Sequence, residues 1–141
     1  MNPSPSLRIA AALLFGAAGA AAQTSTLDEG TFRIAVQGAA AGTETFTIQR
    51  SGAGANATIV AQGRVVMETG ERVTTALQLQ GAGLRPAAYQ IRIEGGDRQN
   101  ITGRAAGNRF RATVISDDGE EMREFLVDQG AVILDDGIAH H

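Results

Sequence analysis

Polar and apolar residues alternate along most of the chain beyond residue 30. The stretch GTETFTIQR at 42–50 is typical, and GTFRIAVQ at 30–37 repeats its pattern. A two-residue period places successive side chains on opposite faces of an extended strand. We find no stretch there with the period of about 3.6 residues that marks an amphipathic helix. The pattern therefore predicts strands at 31–37, 43–50, 57–68, 72–80, 87–94, 98–104, 109–116, 121–128 and 131–134.

The breaks between these strands are rich in residues that favour tight turns. Glycine, Asn and Asp tolerate the positive φ angles of hairpin turns, and they occupy 38–42, 51–56, 95–97, 105–108 and 117–119 among others. Connections this short join antiparallel neighbours. We therefore predict an all-β protein with a single curled antiparallel sheet, a barrel or half-barrel built as a meander of about nine strands. The alternative is a two-layer β-sandwich.

The loops also predict how the strands pair. With loops at 95–97, 105–108 and 116–119, the apolar residues share one face, as a slip of one residue would not allow. The expected partners are Ile91 with Ile101, Arg92 with Asn100, Gly103 with Phe110, Phe110 with Phe125, and Arg111 with Glu124. An aromatic ring opposite Gly103 indicates a bend or a close approach at that point.

One face of the predicted sheet is apolar. Its residues could form a binding surface, or they could fill the core and leave no cavity, and the sequence leaves both interpretations open. The candidate ligand-binding residues are Phe32, Ile34, Phe46, Ile48, Tyr89, Ile91, Phe110 and Phe125.

The opposite face is rich in arginine. Guanidinium groups make two-pronged contacts with carboxylates and phosphates. This face is therefore a candidate surface for an anion or a partner, formed by Arg92, Arg98, Arg104, Arg109 and Arg111. The competing interpretation is cross-strand pairing with Glu94 and Glu124, worth roughly a few tenths of a kcal/mol per pair.

Composition excludes several classes of protein. The 141 residues suit one domain, and the absence of cysteine excludes disulfides and thiolate metal sites. All 12 basic residues are arginine, and with 15 acidic residues the net charge is −3. The chain has no basic stretch of the kind that binds nucleic acid or anionic lipid. We therefore expect no nucleic-acid partner.

The N-terminal segment has the three parts of a secretory signal peptide. Arg8 supplies a positive charge, 9–20 is apolar, and 20–22 offers small residues for cleavage after Ala22. The apolar run is shorter than the roughly 20 residues that span a bilayer. We expect residues 1–22 to be a signal peptide. Residues 23–141 would then form a single all-β domain that is soluble, exported and periplasmic, with no integral membrane segment.

Residues with catalytic or metal-binding potential do not form a known arrangement. The two histidines, His140 and His141, are adjacent, so on a strand they would point to opposite faces. The acidic segments 117–121 and 135–137 lack the ligand spacing of a calcium loop and suit turns. No serine lies in a Gly-x-Ser-x-Gly elbow. We expect no catalytic residue, no metal and no cofactor, and hence no enzyme.

The C-terminal segment has the pattern of a hairpin whose second strand is incomplete. The strand 131–134 is followed by a turn at 135–137 and by the start of a second strand at 138–140. An apolar strand without a neighbour leaves an open edge. We expect that the domain is incomplete at its C-terminus or that a protein partner completes the sheet at this edge.

A loose set of motifs spreads over residues 30 to 135. They are Phe32-x-Ile34, Gly42-Thr43-Glu44-x-Phe46-x-Ile48-x-Arg50, and Leu84-x-Pro86 before Tyr89. With the signal peptide, this pattern resembles a group of poorly characterised bacterial exported β-proteins. These are similar in fold to the half-barrels of periplasmic lipoprotein carriers and of a glycolipid-binding family. The resemblance implies a concave apolar face that shelters an acyl chain, with no catalytic residues. Such carriers usually cover the mouth of the sheet with helices, and this chain predicts none beyond the signal peptide.

The sequence thus predicts a non-catalytic exported binding protein that shelters a lipid or another amphiphile on the apolar face of a curled sheet. The alternative is a structural or interaction module that acts through an open sheet edge or through the arginine-rich face.

Overall fold

One antiparallel sheet makes up the structure. The computed structural model describes residues 23–127. Within that range each strand pairs with the next along the chain, in the order β1 to β8, and the sheet is not closed. The strands are β1 Thr24–Val36, β2 Ala39–Ser51, β3 Thr58–Met67, β4 Arg72–Gln80, β5 Arg85–Glu94, β6 Gln99–Ala106, β7 Arg109–Ser116 and β8 Gly119–Leu126. The prediction of a single antiparallel meander is confirmed in its open form, and the described residues form neither a closed barrel nor a two-layer sandwich.

The first hairpin is longer than the sequence pattern indicated. β1 begins at Thr24 rather than at residue 31, and β2 begins at Ala39 rather than at residue 43. The turn is confined to Gln37 and Gly38, whose φ angles of 54° and 84° suit a type I′ hairpin turn. The alanines after Gly38 therefore belong to the strand, and the register shift between Ile34 and Ala35 accommodates the extra residue.

The predicted pairing holds in two of the three hairpins for which the loops predict it. Ile91 lies opposite Ile101 and Arg92 opposite Asn100. Likewise, Phe110 lies opposite Phe125 and Arg111 opposite Glu124. In the β6–β7 hairpin the prediction is wrong by two residues, because Gly103 pairs with Ala112, and Phe110 pairs with Ala105. The turn there contains only Gly107 and Asn108, and Gly107 has a φ of 65°.

Bulges and glycines account for the curl of the sheet. Register shifts occur twice between β1 and β2 and once between β4 and β5, and each such bulge adds local twist. Two glycines lie beneath aromatic rings. A Cβ on Gly30 would lie 2.8 Å from Cε1 of Phe46, and a Cβ on Gly103 would collide with the ring of Phe110. An aromatic ring laid over a strand glycine fills the space that the missing side chain leaves.

The buried core is small and lies on one face of β4 to β7. Tyr89, Ile91 and Phe110 form its centre, with exposures of 8%, 5% and 6%. Partly buried Val73, Leu77, Ile93, Ile101 and Val127 pack around them. Val127 is tied to the β6–β7 turn, since its backbone N–H donates to the Asn108 carbonyl over 2.9 Å.

Several predictions concern residues outside the described range. They are the signal peptide at 1–22, the ninth strand at 131–134, the acidic turn at 135–137, the start of a further strand at 138–140, and His140 and His141. These stay predictions from the sequence.

Candidate functional site

All the predicted apolar candidates lie on one face of the sheet. Directly opposed residues in an antiparallel ladder share a face. Phe46 is opposed by Gly63, Gly63 by Thr75, and Thr75 by Ile91, which connects β2 to β5 across one face. Cross-strand pairing in the other ladders, together with alternation along each strand, places every candidate on this same face. We call it the apolar face, with Phe32, Ile34, Phe46, Ile48, Tyr89, Ile91, Phe110 and Phe125 as its large members.

Burial divides these residues into a buried centre, a half-buried group and an exposed rim that consists of Phe32 and Phe125. Tyr89, Ile91 and Phe110 are buried in the centre of the sheet. Ile34, Phe46 and Ile48 on the first two strands are half-buried. Phe32 and Phe125 are 44% and 50% exposed, and they lie on the two outermost strands of the described sheet. The rim is therefore the part of this face where aromatic surface is available to a ligand.

The two rim residues, Phe32 and Phe125, differ in their surroundings. The rings of Phe32 and Phe46 stack with centroids 5.3 Å apart and an interplanar angle of 13°. Phe125 lies directly opposite Phe110 in the β7–β8 ladder. Stacked rings lose little freedom when a ligand binds, so the position of Phe32 is preorganised.

The apolar face also contains a buried carboxylate that the sequence analysis passed over. Glu44 is 1% exposed, and its ladder neighbours are Phe32 on β1 and Val65 on β3. A buried carboxylate is tolerated only with a compensating interaction, and Glu44 is not without a partner. Its position could have been found, because Glu44 alternates in phase with Phe46 and Ile48.

The opposite face is polar but not uniformly so. Apolar Ile115, Met122 and Leu126 lie on it, exposed by 48%, 61% and 73%. The expectation that apolar residues of these strands share one face is therefore wrong for these three. They lie on β7 and β8, the last two strands of the described sheet. Their exposure shows that no second layer of described residues covers them.

The predicted arginine face divides into two groups. Arg92 lies opposite Asn100, and Arg98 is in the turn that precedes β6. Arg104, Arg109 and Arg111 lie at the other end of β6 and β7. Six residues of extended strand separate Arg98 from Arg104, about 20 Å. A ligand as small as a phosphate group therefore cannot contact both groups.

The second group has a defined geometry. Arg109 and Arg111 both donate to Glu124 on β8, Arg109 through Nη1 to Oε1 and Arg111 from Nη2 to Oε2 over 3.1 Å. The Arg109 hydrogen bond, and then that of Arg111, holds the pKa of the Glu124 carboxyl below its ordinary value. The predicted pairing of Glu124 with this face is thereby confirmed. Arg104 lies directly opposite Arg111, and among the described residues it forms no ion pair.

A depression of about 320 Å³ lies over this group. Its walls contain Arg104, Arg109 and Arg111, with Glu124, two threonines and small alanines. The threonines, Thr102 and Thr113, are direct cross-strand partners, as are Arg104 and Arg111. These threonines were not among the sequence-predicted site residues, because a pair of hydroxyls beside a pair of guanidiniums can be recognised only once the register is known.

Two further depressions border the arginines. One of about 500 Å³ lies at the strand ends, with Arg85 and Arg104 among its lining residues. One of about 240 Å³ contains Arg92 and Arg98 and also Asn100. The Oδ1 atom of Asn100 is buried and accepts no hydrogen bond within the described part of the chain.

The two outer strands differ in how they present their edges. β1 is 13 residues long and mostly exposed, with Leu27 and Val36 exposed by 52% and 55%. β8 carries an ion pair on the apolar face, in which Arg123 Nε donates to Glu121 Oε1 over 2.8 Å. That hydrogen bond lowers the pKa of Glu121 and raises that of Arg123.

The described residues form neither a metal-binding cluster nor a membrane-spanning helix. Among residues 23–127, no group of three or more His, Cys, Asp or Glu residues converges to hold a metal ion. No helix in that range has the length and apolar character needed to cross a bilayer. No protein-family model, curated protein or solved structure matches this chain. The resemblance to periplasmic half-barrel carriers therefore stays a prediction.

Proposed function

We propose that this protein binds a lipid-like amphiphile across the rim of its apolar face. The observation that carries the proposal is the half-exposure of Phe32 and Phe125 on a face whose centre is closed by Tyr89, Ile91 and Phe110. Large aromatic residues exposed on one face of a sheet offer apolar surface to a ligand or a partner. The apolar face runs across eight strands, about 34 Å at the usual strand spacing, so a single-chain amphiphile covers one part of it.

The buried centre limits where the ligand lies. Tyr89, Ile91 and Phe110 pack against their neighbours, so they supply the floor rather than the contact surface. The stacked pair of Phe32 and Phe46 and the exposed ring of Phe125 supply the contacts. The proposed ligand therefore lies on an open surface and needs no enclosed cavity.

Mass spectrometry of the purified protein tests the proposal, under native conditions and after solvent extraction. We expect a stoichiometric amphiphile that extraction removes. The delipidated protein should then bind cis-parinaric acid, with a rise in the fluorescence of the probe.

Neighbouring residues on β8 provide matched variants. Phe125→Ser should weaken binding about tenfold, as roughly 1.5 kcal/mol of apolar contact is lost. Leu126→Ser changes a more exposed residue on the opposite face and should leave binding unchanged. A protein that carries no amphiphile and does not bind the probe, or equal losses in both variants, would rule the proposal out.

We also propose that the protein is exported to a bacterial periplasm after cleavage behind Ala22. Support comes from the charged, apolar and small-residue parts of 1–22. Expression of the full chain in a bacterium, followed by fractionation and N-terminal sequencing, should find Gln23 as the first residue in the periplasmic fraction. An intact Met1 in the cytoplasmic fraction would contradict this.

A second candidate function is association through an open edge. The length and exposure of β1 favour it, because an uncovered edge strand offers unpaired backbone groups to another chain. Sedimentation velocity over a range of concentrations tests it. Val36→Lys should reduce association if β1 is the contact, whereas Leu84→Lys, in a turn, should not. A monomer at all concentrations argues against self-association.

A further inference from the structure

We infer that the cluster of Arg104, Arg109, Arg111, Thr102 and Thr113 is a binding site for an oxyanion group of the phosphate class. The site lies on the opposite face from the proposed amphiphile surface, so it is independent of that function. Three arginines face one glutamate in this depression, although the whole chain has a net charge of −3. The fold thus concentrates positive charge that the sequence spreads over β6 and β7.

The register places like charges where a sheet ordinarily avoids them. Arg104 lies directly opposite Arg111, and directly opposed like charges destabilise a sheet. Arg109 is two residues from Arg111 on the same strand and on the same face. Glu124 accepts from Arg109 and Arg111. Arg104 has no ion pair among the described residues. A bound oxyanion would relieve this repulsion.

The donors also match the size of the ligand. The Cβ atoms of opposed residues lie about 5 Å apart, and those two apart on one strand about 7 Å apart. The guanidinium pair Arg104 and Arg111 and the hydroxyl pair Thr102 and Thr113 are successive on the same face. They form a patch of those dimensions in a depression of about 320 Å³. Arginine contributes two-pronged charged hydrogen bonds, and threonine contributes neutral ones.

Glu124 gives the site a distinctive property. Its carboxylate is itself an oxyanion held by two of the arginines, so it competes with an external ligand for the same donors. Removing its charge should therefore increase the affinity for phosphate, whereas removing an arginine should reduce it. An unspecific surface charge effect would also raise the affinity of the glutamate variant and lower that of the arginine variant, but it would weaken a remote arginine variant as much as one in the site.

The test is a titration of the purified protein with inorganic phosphate at constant low ionic strength, followed by backbone amide NMR shifts. We expect the shifts to centre on Thr102, Arg104, Arg111 and Thr113. Arg104→Gln should weaken binding about tenfold, the loss of one charge-assisted hydrogen bond. Glu124→Gln should strengthen it. The control is Arg64→Gln, since Arg64 also lies on the polar face, between Thr45 and Thr74, but without a second arginine opposite.

A parallel titration with vesicles containing phosphatidylglycerol distinguishes the source of the oxyanion. Binding of free phosphate with the expected order of variants supports a soluble ligand. Binding to vesicles alone, with the same order, supports the site with a lipid headgroup as its source. No binding in either titration, or equal losses in Arg104→Gln and Arg64→Gln, overturns the inference.

Discussion

The close approach between Gly103 and Phe110 allows one side-chain methyl group to test the packing of the core. Gly103 is buried on β6, and a Cβ at that position would overlap Cε1 and Cζ of the Phe110 ring. Phe110 is 6% exposed and belongs to the central cluster, so its ring cannot move aside into solvent without losing core contacts. The change to introduce is Gly103→Ala.

Two opposing effects determine how much Gly103→Ala changes the free energy of unfolding. Forcing an extra methyl group into a packed core costs about 1–3 kcal/mol. Replacing glycine by alanine in a strand recovers roughly 0.5–1 kcal/mol, because the unfolded chain has less freedom to lose. We therefore expect Gly103→Ala to lower the free energy of unfolding by roughly 0–2.5 kcal/mol, and by about 1–3 kcal/mol relative to a glycine-to-alanine change in open space.

Urea unfolding of the variant and of Gly83→Ala measures this effect. No atom lies within 4 Å of a Cβ built on Gly83, so alanine there should be neutral or slightly stabilising. Phe110→Leu should reduce the penalty of Gly103→Ala when the two are combined, which a double-mutant cycle would detect as a coupling. Equal unfolding free energies for Gly103→Ala and Gly83→Ala would refute the placement of the ring over the glycine.

Further predictions concern pH, turn chemistry and burial. The pKa of Glu124 is lowered, so this residue stabilises the fold at pH values above its ordinary pKa of 4.5, and the stabilisation is lost as the pH falls through the lower pKa of the folded state. Glu124→Gln should therefore reduce the loss of thermal stability between pH 7 and 3, and an unchanged loss would contradict this. Gln37 adopts a positive φ of 54° beside Gly38, so Gln37→Gly should stabilise the protein by about 0.5–1 kcal/mol in urea unfolding, whereas a loss of stability would argue against the type I′ turn. Ile91→Ala should cost about 2–4 kcal/mol because Ile91 is 5% exposed, and the matched Ile115→Ala, at 48%, should cost under about 1 kcal/mol; equal costs would show that the core lies elsewhere.

The hydrophobic pattern predicted the faces of the strands well because alternation is a local property of the chain. It could not settle the β6–β7 register. A shift by one residue reverses the faces, and the pattern excludes it. A shift by two residues keeps every side chain on its face, so pairing Gly103 with Phe110 and pairing it with Ala112 look equally good. The remaining information was in the Gly107-Asn108 dipeptide, which suits a two-residue turn.

The candidate site could be predicted only in part for a related reason. Which arginines share a face follows from alternation, but which of them meet depends on register and distance. Arg92 and Arg98 lie at one end of the strands and Arg104 at the other. The role of Glu124 as a shared acceptor depends in turn on the β7–β8 pairing. The division of the apolar candidates into buried centre and exposed rim required the fold, since Phe110 and Phe125 look alike in sequence.

The charges on the outer strands bear on the choice between the two proposed functions. Charged residues that point inward on an edge strand oppose edge-to-edge association. On β8 the Glu121–Arg123 ion pair lies on the apolar face, beside the exposed ring of Phe125. Stacking another strand or sheet against that region would remove both charges from water, which an exposed ion pair worth under about 1 kcal/mol does not offset. A flexible amphiphile can cover Phe125 and leave the two charges hydrated, so the arrangement on β8 favours an amphiphile over a second protein on this face. β1 has Asp28 at its bulge but no comparable ion pair among the described residues, and any protein partner is therefore better accommodated at β1.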